Sequence, residues 1–309
     1  MISKKSTIFV TGHKGLVGSA VLRRLNFFGY KNILTVDKRD LDLRNQKKVL
    51  TYFKKNKIDA VINGAALVGG IYANNKFKAD FIYDNLSIQN NIIHSCFETG
   101  IKSLVFLGSS CIYPRSSPQP IKEEFILTGP LEATNSAYAI AKIAGIELVR
   151  SYRKEYGHKW ISVMPTNLYG PNDNFDLETS HVLPALIRKF VDAKNNGADR
   201  VTLWGTGEPL REFLHVDDLA KAINVCLDKY DDDSHINIGS GSEISIKKLA
   251  EKVAAYANFQ GEIIWDKSRP DGTPRKILDI NRILNLGWKP LITMDEGIRN
   301  TVEWYQHQR

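Results

Sequence analysis

Tyr138 and Lys142 stand four residues apart in the stretch YAIAK, within a predicted helix. At that spacing two side chains lie on one face of a helix, one turn apart. An ammonium group near a phenol lowers the pKa of the phenol, and a tyrosine shifted in this way can act as a general acid near neutral pH. The same spacing is also common on ordinary amphipathic helices, so the pair predicts chemistry only together with other features.

Two further polar side chains, Ser109 and Cys111, lie in the stretch LGSSCIYP directly after the apolar run SLVFL, a predicted strand. In a doubly wound sheet, ligands bind outside the carboxyl ends of the strands. We therefore expect Ser109 and Cys111 at a binding site. The alternative for Cys111 is a small buried hydrophobic residue, which is the usual place of a free cysteine.

A glycine-rich loop follows the first predicted strand, in VTGHKGLVGSAVLRRL. Glycines between a strand and a helix allow a tight turn and a close approach of the backbone to a pyrophosphate, which lies at the helix N-terminus. The spacing is G-x-x-G-x-x-G, and its position predicts dinucleotide binding. The residues expected to contact the cofactor here are Gly12, Lys14, Gly15, Leu16, Val17 and Gly18.

The second predicted strand ends in VDKRD, and this stretch bears on the choice of dinucleotide. An acidic residue at that place binds the ribose 2′-hydroxyl of NAD, whereas basic residues accept the 2′-phosphate of NADP. Asp37 therefore favours NAD, while Lys14, Lys38 and Arg39 favour NADP. Lys38 and Arg39 could equally be solvated loop charges, so the residues themselves leave both cofactors open.

The chain has 309 residues, 43% of them hydrophobic and 25% charged, which is typical of a globular protein. No apolar run approaches the roughly 20 residues that span a bilayer. With three cysteines and no export signal, we expect no disulfide framework and a cytoplasmic location. The net charge of +8 fits a solvated basic surface or a partner with several negative charges. The lysines form no nucleic-acid-binding signature, so a phosphorylated small molecule is favoured.

Short β-branched runs alternate with longer helical stretches over the first two thirds of the chain. This alternation predicts an α/β fold with a doubly wound parallel sheet of the Rossmann type. After about residue 170 the rhythm becomes less regular. We predict a dinucleotide-binding domain over 1–170 and a smaller α/β substrate lobe over 171–309, which partly returns to the main sheet. The predicted strands are Thr7–Val10, Asn32–Val36, Ala60–Gly64, Ser103–Leu107 and Trp160–Met164.

The glycine loop, a serine after the fourth strand and Tyr-x-x-x-Lys together resemble the extended short-chain dehydrogenase/reductase family. The resemblance covers nearly the whole chain. Six sequence blocks make the resemblance more specific within the family: LGSSCIYP, EATNSAYAIAKIAGIE, VMPTNLYGPNDNFD, SHVLPALIRKF, WGTGEPLREFLHVDD and SRPDGTPRK. These are similar to homodimeric members that act on GDP-4-keto-6-deoxy-D-mannose. Such members epimerise the sugar at C3 and C5 and reduce it at C4 with NADPH; NAD is the less favoured cofactor.

The resemblance implies a role for five residues in catalysis. Cys111 matches the base and His181 the acid of the epimerisation, which needs a proton removed on one face of the sugar and returned on the other. Tyr138 and Ser109 match the residues that hold the C4 oxygen. Lys142 matches the residue that binds the nicotinamide ribose, and Tyr138 and His181 are also expected beside the cofactor. From its residue type alone, His181 could also be a helix-end or core histidine.

Five further residues are expected at the site of the nucleotide sugar, and for Trp204 and Lys276 core packing or surface solvation is the alternative. Arg211 matches a diphosphate-binding arginine, a task for which a bidentate guanidinium is well suited. Lys189 stands where relatives often carry arginine, so it keeps the charge but lacks the fork geometry, which leaves its role open. The full expected set is Asn167, Lys189, Trp204, Arg211 and Lys276.

Other functions stay open on the residues alone. A single-function 4-reductase or 4-epimerase needs only Ser109, Tyr138 and Lys142. A non-catalytic dinucleotide-binding redox sensor could share the fold, because fold does not dictate function. We expect no metal site, because no cysteine or histidine stands at ligand spacing from Cys111, and no nucleic-acid or membrane partner.

Overall fold

The structure is a computed structural model that describes residues 2–269 and 271–308. Pro270, part of the motif SRPDGTPRK, lies outside the described residues. The strands are β1 (Ile8–Thr11), β2 (Ile33–Leu34), β3 (Ala60–Asn63), β4 (Ser103–Leu107), β5 (Ile161–Pro165), β6 (Asn167–Tyr169), β7 (Arg200–Trp204), β8 (Leu210–His215), β9 (Ile236–Ile238), β10 (Glu243–Ser245), β11 (Glu262–Asp266) and β12 (Arg275–Lys276).

The helices cover both faces of the main sheet and build most of the second lobe. They are α1 (Leu16–Phe27), α2 (Gln46–Lys55), α3 (Ile71–Lys76), α4 (Lys78–Glu98), α5 (Ser136–Tyr156), α6 (Val182–Asn195), α7 (Val216–Lys229), α8 (Ile246–Tyr256), α9 (Asn281–Asn285) and α10 (Met294–His307). Two short 3-10 turns lie at Ser110–Ile112 and Glu123–Phe125. No helix in the described ranges is both long and apolar enough to cross a membrane.

The main sheet has six parallel strands in the order β2-β1-β3-β4-β5-β9, which confirms the predicted doubly wound fold. The chain leaves β1 towards β2 on one side and then continues at β3 on the other side. The carboxyl ends of β1 and β3 therefore border the topological switch point, where such sheets bind ligands. The glycine loop follows β1 directly, so the fold places it at this crevice.

The strands whose observed lengths are close to the predicted lengths are the ones that are fully or almost fully buried. The residues of β1, β3 and β5 are all buried, as strands covered on both faces must be. The expected strand over 32–36 is instead the two-residue β2, whose residues are only partly buried. As the edge strand, β2 pairs on one side alone, with β1.

The second half of the chain contributes to both lobes. β9 pairs with β5, so this part of the chain returns to the main sheet. β8 pairs with β6, β10 and β12 in a separate four-stranded sheet. β7 and β11 form a third sheet of two strands. A second hydrophobic core, containing residues of α6, α8 and α10, supports these strands. The division at residues 170 and 171 stays a prediction.

Candidate active site

The reductase-like residues meet beyond the carboxyl end of β4. Ser109 follows β4, and its Oγ accepts a hydrogen bond from the backbone N–H of Cys111 at 3.3 Å, which closes the short turn Ser110–Ile112. α5 lies beside this turn and brings Tyr138 and Lys142 to it, both less than a tenth exposed. The structure thus brings together four of the five residues that were expected to be catalytic.

Lys142 is anchored to the backbone rather than to the phenol. Its Nζ donates a hydrogen bond to the carbonyl of Leu107 at 2.8 Å and lies 5.7 Å from the ring centroid of Tyr138. Burial lowers the pKa of Lys142 to about 8, because a desolvated ammonium loses a proton more easily.

Burial has the largest effect on the pKa of the Tyr138 phenol. Desolvation raises the pKa of Tyr138, the nearby Cys111 raises it further, and a hydrogen bond with Ser109 opposes the shift. The expectation that Lys142 would lower this pKa is therefore wrong for the structure as described. A buried phenol that keeps its proton remains a hydrogen-bond donor, which is the form that a general acid needs.

Cys111 lies at the side of the cleft, half-buried, next to the apolar cluster formed by Ala73, Phe81 and Tyr138. Two nitrogen donors reach its sulfur: Nδ2 of Asn135 at 3.5 Å and Nζ of Lys276 at 3.8 Å. The other two cysteines, Cys96 and Cys226, are fully buried in the core. Cys96 and Cys226 are thus buried hydrophobic residues, whereas Cys111 is not.

His181 immediately precedes α6 and is exposed on the cleft. The atoms of the concave wall around it still desolvate the imidazole, and this effect, together with the positive charge of Lys276, lowers the pKa of His181. Lys276 therefore acts on His181 electrostatically and touches the sulfur of Cys111 directly. Lys276 is thus the residue that connects the two expected proton-transfer residues, through a contact with Cys111 and through its charge at His181.

The glycine loop is packed so tightly that two of its positions exclude a side chain. Gly12 has a φ of +66°, and a Cβ on Gly18 would stand 2.1 Å from the carbonyl oxygen of Gly12. Gly15 precedes α1, whose first-turn N–H groups are directed at the crevice, as a pyrophosphate requires. The loop is thus a cradle of the size and polarity that a dinucleotide needs.

We expect Gly18→Ala to destabilise the protein and to abolish dinucleotide binding, because the clash is with backbone that cannot rotate away. Overpacking of this kind costs about 1–3 kcal/mol or more. Gly15→Ala is the matched control for folding, since its Cβ would meet the Gly12 oxygen at 3.5 Å, an ordinary contact, with no positive φ. Urea denaturation without cofactor measures the effect, and equal midpoints for the two variants would contradict it.

Asp37, the residue that favoured NAD, is already paired. Its carboxylate lies 2.6 Å from Nζ of Lys14 and 3.5 Å from Nε2 of His13. The hydrogen bond from Lys14 holds the pKa of Asp37 below its usual value. Lys38 and Arg39 follow in an exposed turn after β2. The ribose end of the cradle thus carries more positive than negative charge.

Arg211 and Lys276 are adjacent, because β8 and β12 pair in parallel with these two residues in register. Nη1 of Arg211 donates to the carbonyl of Leu210 at 2.8 Å. Burial lowers the pKa of Arg211, and the nearby carboxylate of Asp271 opposes this shift. Asn167 lies behind them and donates from Nδ2 to the carbonyl of Glu212 at 2.8 Å.

Trp204 and Lys189 lie on the β7 side of the lobe. The indole of Trp204 is 61% exposed, and the guanidinium of Arg269 stands 5.1 Å from its ring centroid. Nζ of Lys189 donates to the carbonyl of Thr202 at 3.4 Å, and burial lowers the pKa of Lys189. An exposed aromatic face beside cations is suited to stacking a nucleobase.

Three residues near the site were missed by reasoning from the sequence. Asp271 accepts hydrogen bonds from the N–H and hydroxyl of Thr206 and faces Arg211. The fully buried carboxylate of Glu212 accepts from the N–H groups of Gly241 and Leu278, which ties β8 to the chain just after β12. The third is Asn135. All three lie in or beside quoted motifs, so proximity to those motifs was the available signal.

Within the described ranges, no group of three or more histidine, cysteine or acidic residues is arranged to hold a metal ion.

Comparison with known proteins gives concordant matches. Residues 8–239 match the family described as NAD dependent epimerase/dehydratase family. The chain is 54% identical to GDP-L-fucose synthase 1 of Arabidopsis thaliana, over 99% of this chain and 94% of that protein. It is 46% identical to GDP-L-fucose synthase of Escherichia coli strain K12, over 97% of each.

Solved structures agree with these matches. A GDP-L-fucose synthetase from Naegleria fowleri bound to NADP is similar with a TM-score of 0.92 and 32% identity, covering 100% of this chain and 96% of that one. A GDP-6-OMe-4-keto-L-xylo-heptose reductase from C. jejuni is similar with a TM-score of 0.93 and 36% identity, covering 100% and 99%.

Proposed function

We propose that this chain, which belongs to the NAD dependent epimerase/dehydratase family, is a bifunctional 3,5-epimerase and NADPH-dependent 4-reductase that converts GDP-4-keto-6-deoxy-D-mannose to GDP-L-fucose. One observation carries the proposal. A half-exposed cysteine with two nitrogen donors stands beside the serine and the buried tyrosine and lysine of a reductase site. A reductase alone has no use for that thiol. Relatives named GDP-L-fucose synthase at 46% to 54% identity support it.

The cofactor is NADP, used in its reduced form. Structures similar to this chain hold NADP, and the residues of this chain fit it. Gly12 and Gly18 leave room for the pyrophosphate at the start of α1. Lys38 and Arg39 supply positive charge for a 2′-phosphate, since the carboxylate of Asp37 is neutralised by Lys14. Bound NADPH supplies the hydride for the reduction at C4.

Epimerisation uses the acidity of the two carbons beside the ketone. Cys111, as thiolate, removes the proton from C3 or C5, and the electron pair moves onto the C4 oxygen to form an enolate. Tyr138 and Ser109 donate hydrogen bonds to that oxygen, where the negative charge develops. His181 returns a proton to the opposite face of the same carbon. A proton then passes from Cys111 to solvent and another from solvent to His181, which resets both groups.

Desolvation and the charge of Lys276 lower the pKa of His181, so a nearby negative charge favours its protonated form. The diphosphate of the bound nucleotide sugar supplies that charge. Arg211 and Lys276 are adjacent and cationic, so we place the diphosphate against them. Its negative charge offsets the charge of Lys276 at His181 and restores the imidazolium.

Reduction follows at the same oxygen. Tyr138 gives its phenolic proton to the C4 oxygen as the hydride reaches C4. The burial that raises the pKa of Tyr138 keeps that proton in place until the alkoxide forms. Lys142, held by the Leu107 carbonyl, binds the nicotinamide ribose. We assign Asn167 to the sugar, Trp204 to the guanine base, and Lys189 to the nucleotide end of the site.

The function is tested by incubating the protein with GDP-4-keto-6-deoxy-D-mannose in deuterium oxide, with NADPH or NADH, and identifying the product sugar by NMR. We expect GDP-L-fucose with deuterium at C3 and C5, formed faster with NADPH. A product reduced at C4 without inversion at C3 and C5 would establish the single-function reductase instead. Binding of NADPH without its oxidation would establish the redox sensor.

A homodimer is also proposed, built on the faces of α4 and α5 that the monomer leaves exposed. Tyr83 on α4 is 69% exposed and Ile140 on α5 is 48% exposed. We expect a sedimenting mass of twice 34.9 kDa for the wild type and 34.9 kDa for Tyr83→Asp/Ile140→Asp. Phe27→Asp on α1, at 78% exposure, is the matched control and should remain a dimer. A wild-type protein of 34.9 kDa at micromolar concentration would contradict the proposal.

A further inference from the structure

Asn135 stands at the N-cap position of α5 without doing what an N-cap asparagine usually does. Asparagine is favoured there because its side chain accepts a hydrogen bond from the first turn of the helix. Across the described residues, no such cap bond is made by Asn135. Its Nδ2 instead points away from the helix and reaches Sγ of Cys111 at 3.5 Å.

The turn before α5 is built to hold Asn135 in this position. The carboxylate of Glu132 accepts hydrogen bonds from the backbone N–H of Thr134 at 3.0 Å, from the hydroxyl of Thr134, and from the backbone N–H of Asn135 at 3.2 Å. These bonds fix the backbone immediately before the side chain of Asn135. The side chain of Asn135 is thus presented to the sulfur by a turn with its own support.

The opposite end of the same amide is left unpaired. In the part of the chain that the structure describes, Oδ1 of Asn135 is buried and has no hydrogen-bond partner. A buried unpaired oxygen is costly, and together with the missing cap bond it needs a compensating gain. A hydrogen bond from Nδ2 to the sulfur would be such a gain when the sulfur is a thiolate, because bonds to charged groups are the stronger ones.

The chemistry of the amide suits a sulfur that gains and loses a proton. An asparagine amide has a donor end and an acceptor end. With Nδ2 towards the sulfur it stabilises the thiolate, and with Oδ1 in that place it accepts the S–H of the thiol. Nζ of Lys276 approaches the sulfur at 3.8 Å and is a donor only. Asn135 is therefore the neighbour that can serve both states of Cys111.

We propose that Asn135 is a positioning residue of the epimerisation, which holds the sulfur of Cys111 and stabilises its thiolate through Nδ2. The proposal rests on the function proposed above, in which Cys111 is the base. It assigns to α5 a second task. The helix that carries Tyr138 and Lys142 for the reduction also carries, at its N-cap, the group that prepares the thiol for epimerisation.

The test uses two variants that keep a good N-cap residue, Asn135→Asp and Asn135→Ser, so that α5 stays intact. Aspartate has the shape of asparagine but only acceptors, and serine is too short to reach the sulfur. The readouts are the rate at which iodoacetamide alkylates Cys111, followed by peptide mass spectrometry, and the rate of deuterium exchange at C3 and C5. Cys96 and Cys226 are fully buried, so alkylation of the native protein reports on Cys111.

We expect alkylation and exchange to slow about tenfold in Asn135→Asp and several-fold in Asn135→Ser, the order expected for losing one hydrogen bond to a charged group. The dissociation constant for NADPH should not change. Ser136→Ala is the matched control, because the Ser136 hydroxyl bonds only to the carbonyl of Ala133 among the described residues. It should alkylate and exchange like the wild type.

Wild-type alkylation and exchange rates in both Asn135 variants would overturn the inference. If Asn135→Asp failed to fold, Asn135→Ser would decide the question by itself, since it adds no charge. Absence of exchange in the wild-type protein would overturn the proposed function instead. The alkylation rates would then still show whether Asn135 stabilises the thiolate.

Discussion

Cys111→Ser protein is expected to bind NADPH normally and to lose exchange of solvent deuterium at C3 and C5 of the ketosugar by about 1000-fold, within the range for losing a general base. A serine hydroxyl is a much weaker acid than a thiol, so it supplies almost no anion at neutral pH. The substitution changes one atom in a half-exposed side chain, so the free energy of unfolding should change little.

The matched control for this variant is Cys226→Ser. Cys226 is fully buried in the core, away from the cleft, and burial raises its pKa to about 12. Its replacement buries a hydroxyl and should lower the stability by about 1–3 kcal/mol without slowing the exchange. The two serine variants therefore separate chemistry from stability. If the Cys111→Ser protein exchanged deuterium at C3 and C5 at the wild-type rate, Cys111 could not be the base.

Tyr138→Phe is expected to reduce NADPH oxidation by about 100- to 10,000-fold, because the C4 alkoxide loses its proton donor. The ring still packs edge-on against Phe81, whose centroid lies 6.3 Å away, so the core around it should persist. Exchange at C3 and C5 should fall as well, since the enolate loses a hydrogen bond at its oxygen. Single-turnover absorbance at the NADPH band measures the first effect, and NMR measures the second.

Tyr113→Phe controls for the loss of a buried hydroxyl from the same region. The hydroxyl of Tyr113 donates to Oδ1 of Asn237 and contacts the ring of His235, neither of which is a candidate site residue. Its removal should cost about 1–3 kcal/mol of stability and leave turnover intact. If Tyr138→Phe oxidised NADPH at the wild-type rate, a different residue would have to protonate the C4 oxygen.

The pattern of effects distinguishes the two halves of the reaction. We expect Cys111→Ser to lose the exchange alone, whereas Tyr138→Phe should lose both the exchange and the reduction. This follows because the sulfur touches only the carbon acids, while the phenol touches the oxygen that both steps use. The opposite pattern would mean that the two roles are assigned to the wrong residues.

Local signals were sufficient for the main sheet and the cofactor cradle. Continuous apolar runs predict β1, β3, β4 and β5 because strands covered on both faces bury every residue. The helix that carries Tyr138 and Lys142 was also predicted, and the structure shows it over Ser136–Tyr156. Edge strand β2 was predicted too long, because propensity does not report which side of a strand stays unpaired. The homodimer and the roles of the site residues remain predictions.

By itself, the sequence determined the doubly wound sheet, the glycine loop and the Tyr-x-x-x-Lys spacing, since each depends on residues that are neighbours along the chain. Only the tertiary structure decided what surrounds Cys111. Asn135 and Lys276 reach its sulfur from distant parts of the chain, through the turn before α5 and through β12. It also decided that burial, and not Lys142, has the largest effect on the pKa of the Tyr138 phenol. Desolvation and contacts between distant segments depend on how the elements pack, and a linear pattern does not encode that packing locally.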